Sequence, residues 1–162
     1  MTYARDEALI ATPIGAIRIR GGEDAIESIR IEDTRAEPVS RGTAQAVREA
    51  ADQLLQWFAA ERRDFDLPLE PAATARGGAL RQGIVDISFG KTESYGDLAG
   101  RIGSAARAIG QACARNPFPI IVPCHRVIGS GGAIGHYSAG AGVATKRWLL
   151  EFERKALGVD LL

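Results

Sequence analysis

From Leu9 to Glu32 apolar and polar residues alternate in short runs, whereas from Ala44 to Glu61 the apolar residues recur with a helical period. That change of period is what most constrains the fold. A period of two places Ile17 and Ile19 on one face of a strand and Ile29 and Ile31 on one face of the next, with Arg18, Arg20 and Arg30 opposite. Pro13-Ile14-Gly15 and Gly21-Gly22 supply the hairpin turns. Val47, Ala50, Ala51, Leu54, Leu55 and Phe58 then form the apolar stripe of a helix. The stretch from Phe65 to Ala75, with Pro68 and Pro71, reads as a linker wrapping between domains. The boundary is placed at Pro71, giving an N-terminal α/β domain over residues 1-71 and a second domain over residues 72-162.

The second domain reads as helical and loop-rich, so the fold class is α+β. Leu80, Ile84 and Ile87 stand at helical spacing, and a further helix runs from Tyr95 to Ile102 and stops at Gly103. Ser104 then takes the N-cap position of a third helix, Ser104 to Arg115, ended by Asn116-Pro117. Helix, tight turn, helix is a helix-turn-helix, whose second helix conventionally leads into a DNA groove with its N-terminus. Helix pairs of this length also occur with no nucleic acid. Ile120-Ile121-Val122 reads as a short buried strand that stops at Pro123 and presents Cys124 beside His125. A thiol attacks as thiolate, and an adjacent imidazole is the usual means of removing its proton. Neighbours on a strand point to opposite faces, so His125 reaches Cys124 where the chain turns after Pro123, or through a water. The competing interpretation is a small buried cysteine that precedes a histidine.

The chain has 162 residues, 46% of them hydrophobic and 25% charged, with zero formal net charge, the profile of an ordinary soluble globular protein. No segment reaches the roughly 18 apolar residues of a membrane span, and the N-terminus lacks the apolar core of a signal peptide, so a cytoplasmic protein is expected. Cys113 and Cys124 make no disulfide framework, and with His125 and His136 the only histidines there is no zinc-ligand spacing; no metal and no cofactor are expected. Charge is unevenly spread. Between Asp97 and Glu151 there is no acid, while Arg101, Arg107, Arg115, Arg126, Lys146 and Arg147 give that stretch six positive charges. An acid-free segment around the candidate nucleophile suits a polyanion; the alternative is a solvated basic face.

The pentapeptide Pro123-Cys124-His125-Arg126-Val127, followed by Ile128-Gly129-Ser130-Gly131-Gly132, resembles the active-site segment of the O6-alkylguanine-DNA alkyltransferases. Ser94-Tyr95-Gly96-Asp97-Leu98-Ala99, Ala105-Ala106-Arg107-Ala108-Ile109-Gly110, Asn116-Pro117, Gly135-His136-Tyr137 and Lys146-Arg147-Trp148-Leu149-Leu150-Glu151-Phe152-Glu153 resemble family segments in the family's order. Upstream, Gln56-Trp57-Phe58-Ala59 and Arg63-Asp64-Phe65-Asp66-Leu67-Pro68-Leu69 resemble the stretch joining the two halves. The resemblance implies a ribonuclease H-like N-terminal domain and a winged-helix-like C-terminal one. It also implies DNA repair by irreversible transfer of an alkyl group from O6-alkylguanine in duplex DNA to Cys124, with O4-alkylthymine as a further candidate. The protein would act as a monomer on the minor groove, on a base flipped from the stack.

The roles implied are residue-specific. His125, oriented by Glu153, would activate Cys124 through a water, a relay analogous to other triads. Arg107 would fill the gap left by the base and Tyr95 would displace the phosphate, with Ala105, Ala106 and Gly110 small enough for close approach of the recognition helix and Arg115 on the same DNA-binding surface. The Tyr95 hydroxyl would face guanine N3, the Ser138 backbone N–H would face O6, and the carbonyls of Cys124 and Val127 would accept from the exocyclic amine. Tyr137 would form a pocket wall and Asn116 would tie the recognition helix to the active-site turn. Arg126 is expected to pair structurally and Cys113 to be an inert buried residue. The chain departs from the pattern at Arg76, Leu80-Arg81 and Ser88, in a turn two residues shorter before Ala105, and in a loop from Tyr137 to Lys146 that is two residues longer. The alternative function is a non-catalytic, lesion-binding alkyltransferase-like protein.

Overall fold

A computed structural model describes residues 5–158, which divide into two compact units at Glu70 and Pro71. The first unit is a three-stranded antiparallel sheet in the order β1-β2-β3, comprising β1 (Asp6–Thr12), β2 (Gly15–Gly21) and β3 (Ile26–Glu32), with helix α1 (Gln45–Phe58) packed on it. Ile17 faces Ile31 and Ile19 faces Ile29 across the β2–β3 ladder, and all four are buried, as the alternation predicts. The β1–β2 turn needs glycine at position 15, where φ is +110° and a Cβ would run into the Glu32 carbonyl. On the helix, Val47, Ala50, Ala51 and Leu54 are buried as expected, but the stripe ends on Trp57. Phe58 is only half-buried, edge-on to Trp57 at 5.0 Å. Within the expected linker, Pro68 and Glu70 hydrogen-bond the backbone of Ile26.

The start of α1 is capped from outside the helix. Its N-cap residue Ala44 has no side chain to accept a hydrogen bond, and the carboxylate of Asp6 takes its place, accepting from Thr43 N at 2.6 Å and Ala44 N at 2.7 Å; Glu23 accepts from Gln45 N at 2.9 Å. Those bonds hold the Asp6 carboxyl below its ordinary range, the Ala44 N–H most strongly. Asp6→Ala is expected to cost about 1 kcal/mol in a urea unfolding titration near neutral pH. Because the folded-state pKa is lowered, the difference should shrink as pH falls below the unfolded carboxylate's range.

The second unit contains α2 (Ala75–Val85), β4 (Glu93–Ser94), α3 (Tyr95–Ile102), α4 (Ala106–Ala114), β5 (Val127–Ile128) and α5 (Val143–Ala156). Strands β4 and β5 pair in parallel, and Ile84, Leu98, Ile109, Phe118, Val127 and Leu149 are buried in the core. Ser94 caps α3 by accepting from Asp97 N at 3.0 Å, and Gly103 ends it in the left-handed conformation at φ +69°. The third helix starts later than Ser104 predicts. Ser104 N donates to Ala99 O at 2.8 Å, so its backbone completes the end of α3, and α4 begins at Ala106 after the uncapped N-cap Ala105. The expected strand at Ile120–Val122 is instead a reverse turn in which Pro119 bridges to Val122 and Ile120 sits at φ +75°. Among the described residues no helix is long and apolar enough to cross a membrane.

Candidate active site

Cys124 owes its setting to that turn. A β-branched residue at positive φ is strained by an amount on the order of 1–3 kcal/mol, and burial of Ile120 among apolar neighbours holds it there. Val122 N donates to Phe118 O at 2.8 Å, and beyond Pro123 the chain winds into a 3-10 turn over Cys124–Arg126 before entering β5. Asn116, just after α4, fastens this turn. Its Nδ2 donates to Val122 O at 2.9 Å and to Cys124 Sγ at 3.3 Å, while its Oδ1 accepts from Phe118 N at 2.9 Å.

The 3-10 turn carries His125 and Arg126 inward to α5. His125 Nε2 lies 2.7 Å from Glu153 Oε2, with both side chains buried. Arg126 grips the same carboxylate through Nε and Nη2 at 2.8–3.1 Å, donates from Nη1 to Ile87 O at 2.7 Å, and lies over the Phe89 ring. Gly90 N donates to Glu153 Oε1 at 2.9 Å. Arg126 is thus a structural partner, as expected. Burial alone would raise the Glu153 carboxyl, but hydrogen bonds from His125 and Arg126 outweigh it and bring the pKa to about 2. Burial lowers His125 below its ordinary range despite Glu153. A neutral imidazole beside an ionised carboxylate carries its proton on Nε2 and leaves Nδ1 as the basic nitrogen.

A cavity of about 190 Å³ opens above Cys124, and Tyr95, Gly110, Tyr137 and Ser138 line it. Cys113 lines it too and is only half-buried, so it borders the cavity of Cys124 where a buried residue within the helix was expected. Cys113 and burial hold the Cys124 thiol well above its ordinary range, against the opposing pull of Asn116 and Lys146. Burial raises the Tyr95 phenol to about 12 and raises Tyr137 further, so both stay protonated. The Tyr137 hydroxyl is buried with no hydrogen-bond partner among the described residues. Ser138 Oγ donates to Ala114 O at 3.4 Å.

Sequence reasoning gave Lys146 no role beyond its charge, yet it is fully buried. Its Nζ donates to Val127 O at 2.7 Å and to His136 O at 3.1 Å, and lies 5.9 Å from the Tyr95 ring centroid. The ammonium therefore clamps the loop bearing Tyr137 to β5, and burial lowers its pKa. Gly135, at φ +77°, leaves room for it; a Cβ there would stand 3.3 Å from Nζ. No periodicity marks a lysine for burial, because its environment comes from three separate segments. On the outer side of α4, Ala105, Ala106, Arg107 and Arg115 are exposed, while Gly110 is half-buried. The first turn of α4 thus presents one cation between small side chains, and its inner side holds the wall of the thiol cavity. The arrangement brings a buried nucleophile, an acid-base pair and an exposed basic helix terminus into one unit.

The family described as 6-O-methylguanine DNA methyltransferase, DNA binding domain, matches residues 79–155. A methylated-DNA--protein-cysteine methyltransferase of Mycobacterium bovis is 38% identical over 157 residues, covering 94% of each chain. The constitutive methylated-DNA--protein-cysteine methyltransferase of Bacillus subtilis is 37% identical over 152 residues, covering 88% of this chain and 92% of its own. Among solved structures, Mycobacterium tuberculosis OGT in complex with DNA superposes with a TM-score of 0.79 at 37% identity, covering 93% of each chain. A small antiparallel sheet with helices is therefore an architecture that this chain has in common with that protein.

Proposed function

The chain belongs to the 6-O-methylguanine DNA methyltransferase family, and from that premise we propose how its own residues carry out the reaction. The protein is a methylated-DNA--protein-cysteine methyltransferase that repairs DNA by direct reversal, each chain taking up one group and then being spent. The nucleophile is Cys124. Its sulfur forms a bond to the methyl carbon as the carbon–O6 bond breaks, its proton passes through a water to His125, and guanine leaves restored. The observation that carries this reading is a buried Cys124 at a cavity wall, followed in the same turn by a His125 locked 2.7 Å from an ionised Glu153. A thiol raised by Cys113 and by burial needs such a base, because little thiolate exists beforehand.

The remaining roles follow from the same cavity. Tyr95, kept neutral, donates to guanine N3, and the Ser138 N–H faces O6, where charge develops. The Cys124 and Val127 carbonyls accept from the exocyclic amine. Val127 O already accepts from Lys146, and a carbonyl has a second lone pair for the base. Tyr137 walls the alkyl group, and Asn116 fixes the turn against α4. DNA is the partner; α4 meets its minor groove, with Ala105, Ala106 and Gly110 permitting close approach, Arg115 near phosphate, Arg107 replacing the flipped base and Tyr95 displacing the phosphate. The first unit is ribonuclease H-like and the second winged-helix-like, and the protein works as a cytoplasmic monomer. A purely lesion-binding role has no observation in its favour.

The test is to incubate the protein with a duplex containing one O6-methylguanine and weigh it. A gain of one methyl, about 14 Da, on the peptide bearing Cys124 is expected; an unchanged mass with lesion-selective binding would refute the transfer. The same assay run against pH checks the base. With the His125 pKa lowered, His125 stays neutral further into acid than an ordinary imidazole, so the transfer rate should hold through pH 6.5 and fall only below it. A fall centred at or above 6.5 would remove His125 from that role.

A further inference from the structure

We propose that Cys113 and Cys124 form a dithiol that hydroperoxides oxidise to an intramolecular disulfide, parking the nucleophile reversibly. Both cysteines line one cavity open to small molecules, and each thiol shifts the other's pKa there, Cys113 downward and Cys124 upward. The backbone geometry keeps them together: Cys113 is in the last turn of α4, and the Asn116 amide that follows it holds Cys124 Sγ at 3.3 Å. They differ in access. Cys113 is half-buried and Cys124 is buried, so the peroxide meets Cys113 first. Interaction with Cys124 lowers the Cys113 thiol below its ordinary range, which favours the thiolate that attacks peroxide.

The chemistry balances with hydrogen peroxide as oxidant. The Cys113 thiolate displaces hydroxide from the peroxide and becomes a sulfenic acid; the Cys124 thiol then attacks that sulfur, forming the S–S bond and expelling water. Net, two thiols and one peroxide give one disulfide and two waters, and a small dithiol reductant reverses it. For a protein that uses its nucleophile once, this route diverts peroxide from the irreversible sulfinic and sulfonic acids of Cys124. The disulfide itself does not depend on the methyl-transfer assignment, whereas the loss of transfer it causes does.

Hydrogen peroxide is added to the reduced protein, and intact mass, a tryptic map and methyl uptake are followed before and after dithiothreitol. Trypsin cuts after Arg115, so the cysteines fall in separate peptides, 108–115 and 116–126. The expected result is a loss of about 2 Da, a linked pair of those peptides, and loss of methyl uptake in proportion to the linked fraction, all restored by the reductant. In Cys113→Ser, no link forms, Cys124 gains about 32 or 48 Da, and the loss is not restored. Gains of oxygen without a linked peptide in the parent, a link between two chains, or no reaction would each overturn the proposal. Should the variant fail to fold, the parent's linked peptide decides alone, and it does so even if no methyl transfer is found.

Discussion

Cys124→Ala is expected to take up no methyl group, against about one per chain for the parent, while still binding the lesion duplex. The reason is chemical, because no other group in the cavity combines nucleophilicity with a base. Tyr95 is a neutral phenol with its pKa near 12, and Tyr137 lies higher still. Cys113 is the second thiol of the lining and could challenge this, since it borders the same cavity and its thiol is lowered. It lies on α4, however, and not in the turn that carries His125, so the relay from Glu153 does not serve it. The check is intact mass and peptide mapping after incubation with an O6-methylguanine duplex. Methyl found on the Cys113 peptide of Cys124→Ala would show that the cavity, and not the Cys-His-Glu relay, determines the acceptor. Cys124→Ala should also keep its fold, because removing one small sulfur leaves the Asn116 bonds to Val122 and Phe118 intact.

Much of this site was legible in the sequence, and the parts that were not share a cause. Local patterns carried well: the alternation around Ile17, Ile19, Ile29 and Ile31 became the buried face of the sheet, and Gly103 ended α3 where a left-handed residue was needed. The errors arise where one residue serves two neighbours. Ser104 has the chemistry of an N-cap, but the chain reaches the N-cap position one residue later at Ala105, so the Ser104 hydroxyl caps nothing while its N–H closes α3 on Ala99 O. Ile120 has the composition of a strand, yet the chain turns there at positive φ, a conformation that no β-propensity anticipates and that tertiary burial imposes. Lys146 and Cys113 were undervalued for a related reason. The function of each depends on what distant segments bring to it, carbonyls from Val127 and His136 in one case and the Cys124 sulfur in the other.

Glu153→Ala is expected to destabilise the protein by about 3–5 kcal/mol and to slow methyl transfer strongly in whatever fraction remains folded. The buried carboxylate neutralises Arg126, receives His125, and accepts from Gly90 N, so its removal strands a buried guanidinium and leaves the histidine unoriented. Against a total stability of roughly 5–15 kcal/mol for a typical domain, that is a large share. Glu153→Gln separates the two effects. The amide keeps shape and one acceptor oxygen but brings an N–H₂ against donors from Arg126 or His125, so it should fold better than the alanine variant and still transfer slowly. The parent's acid sensitivity supplies an independent measure. Its Glu153 pKa is lowered from 4.5 to about 2, so the stabilisation from the ionised carboxylate is complete above 4.5 and drains away as pH falls toward 2. Urea titrations at a series of pH values should show the parent losing stability through that window and Glu153→Gln losing far less. Equal slopes for the two proteins would mean that Glu153 is not the group that ties the active-site turn to α5.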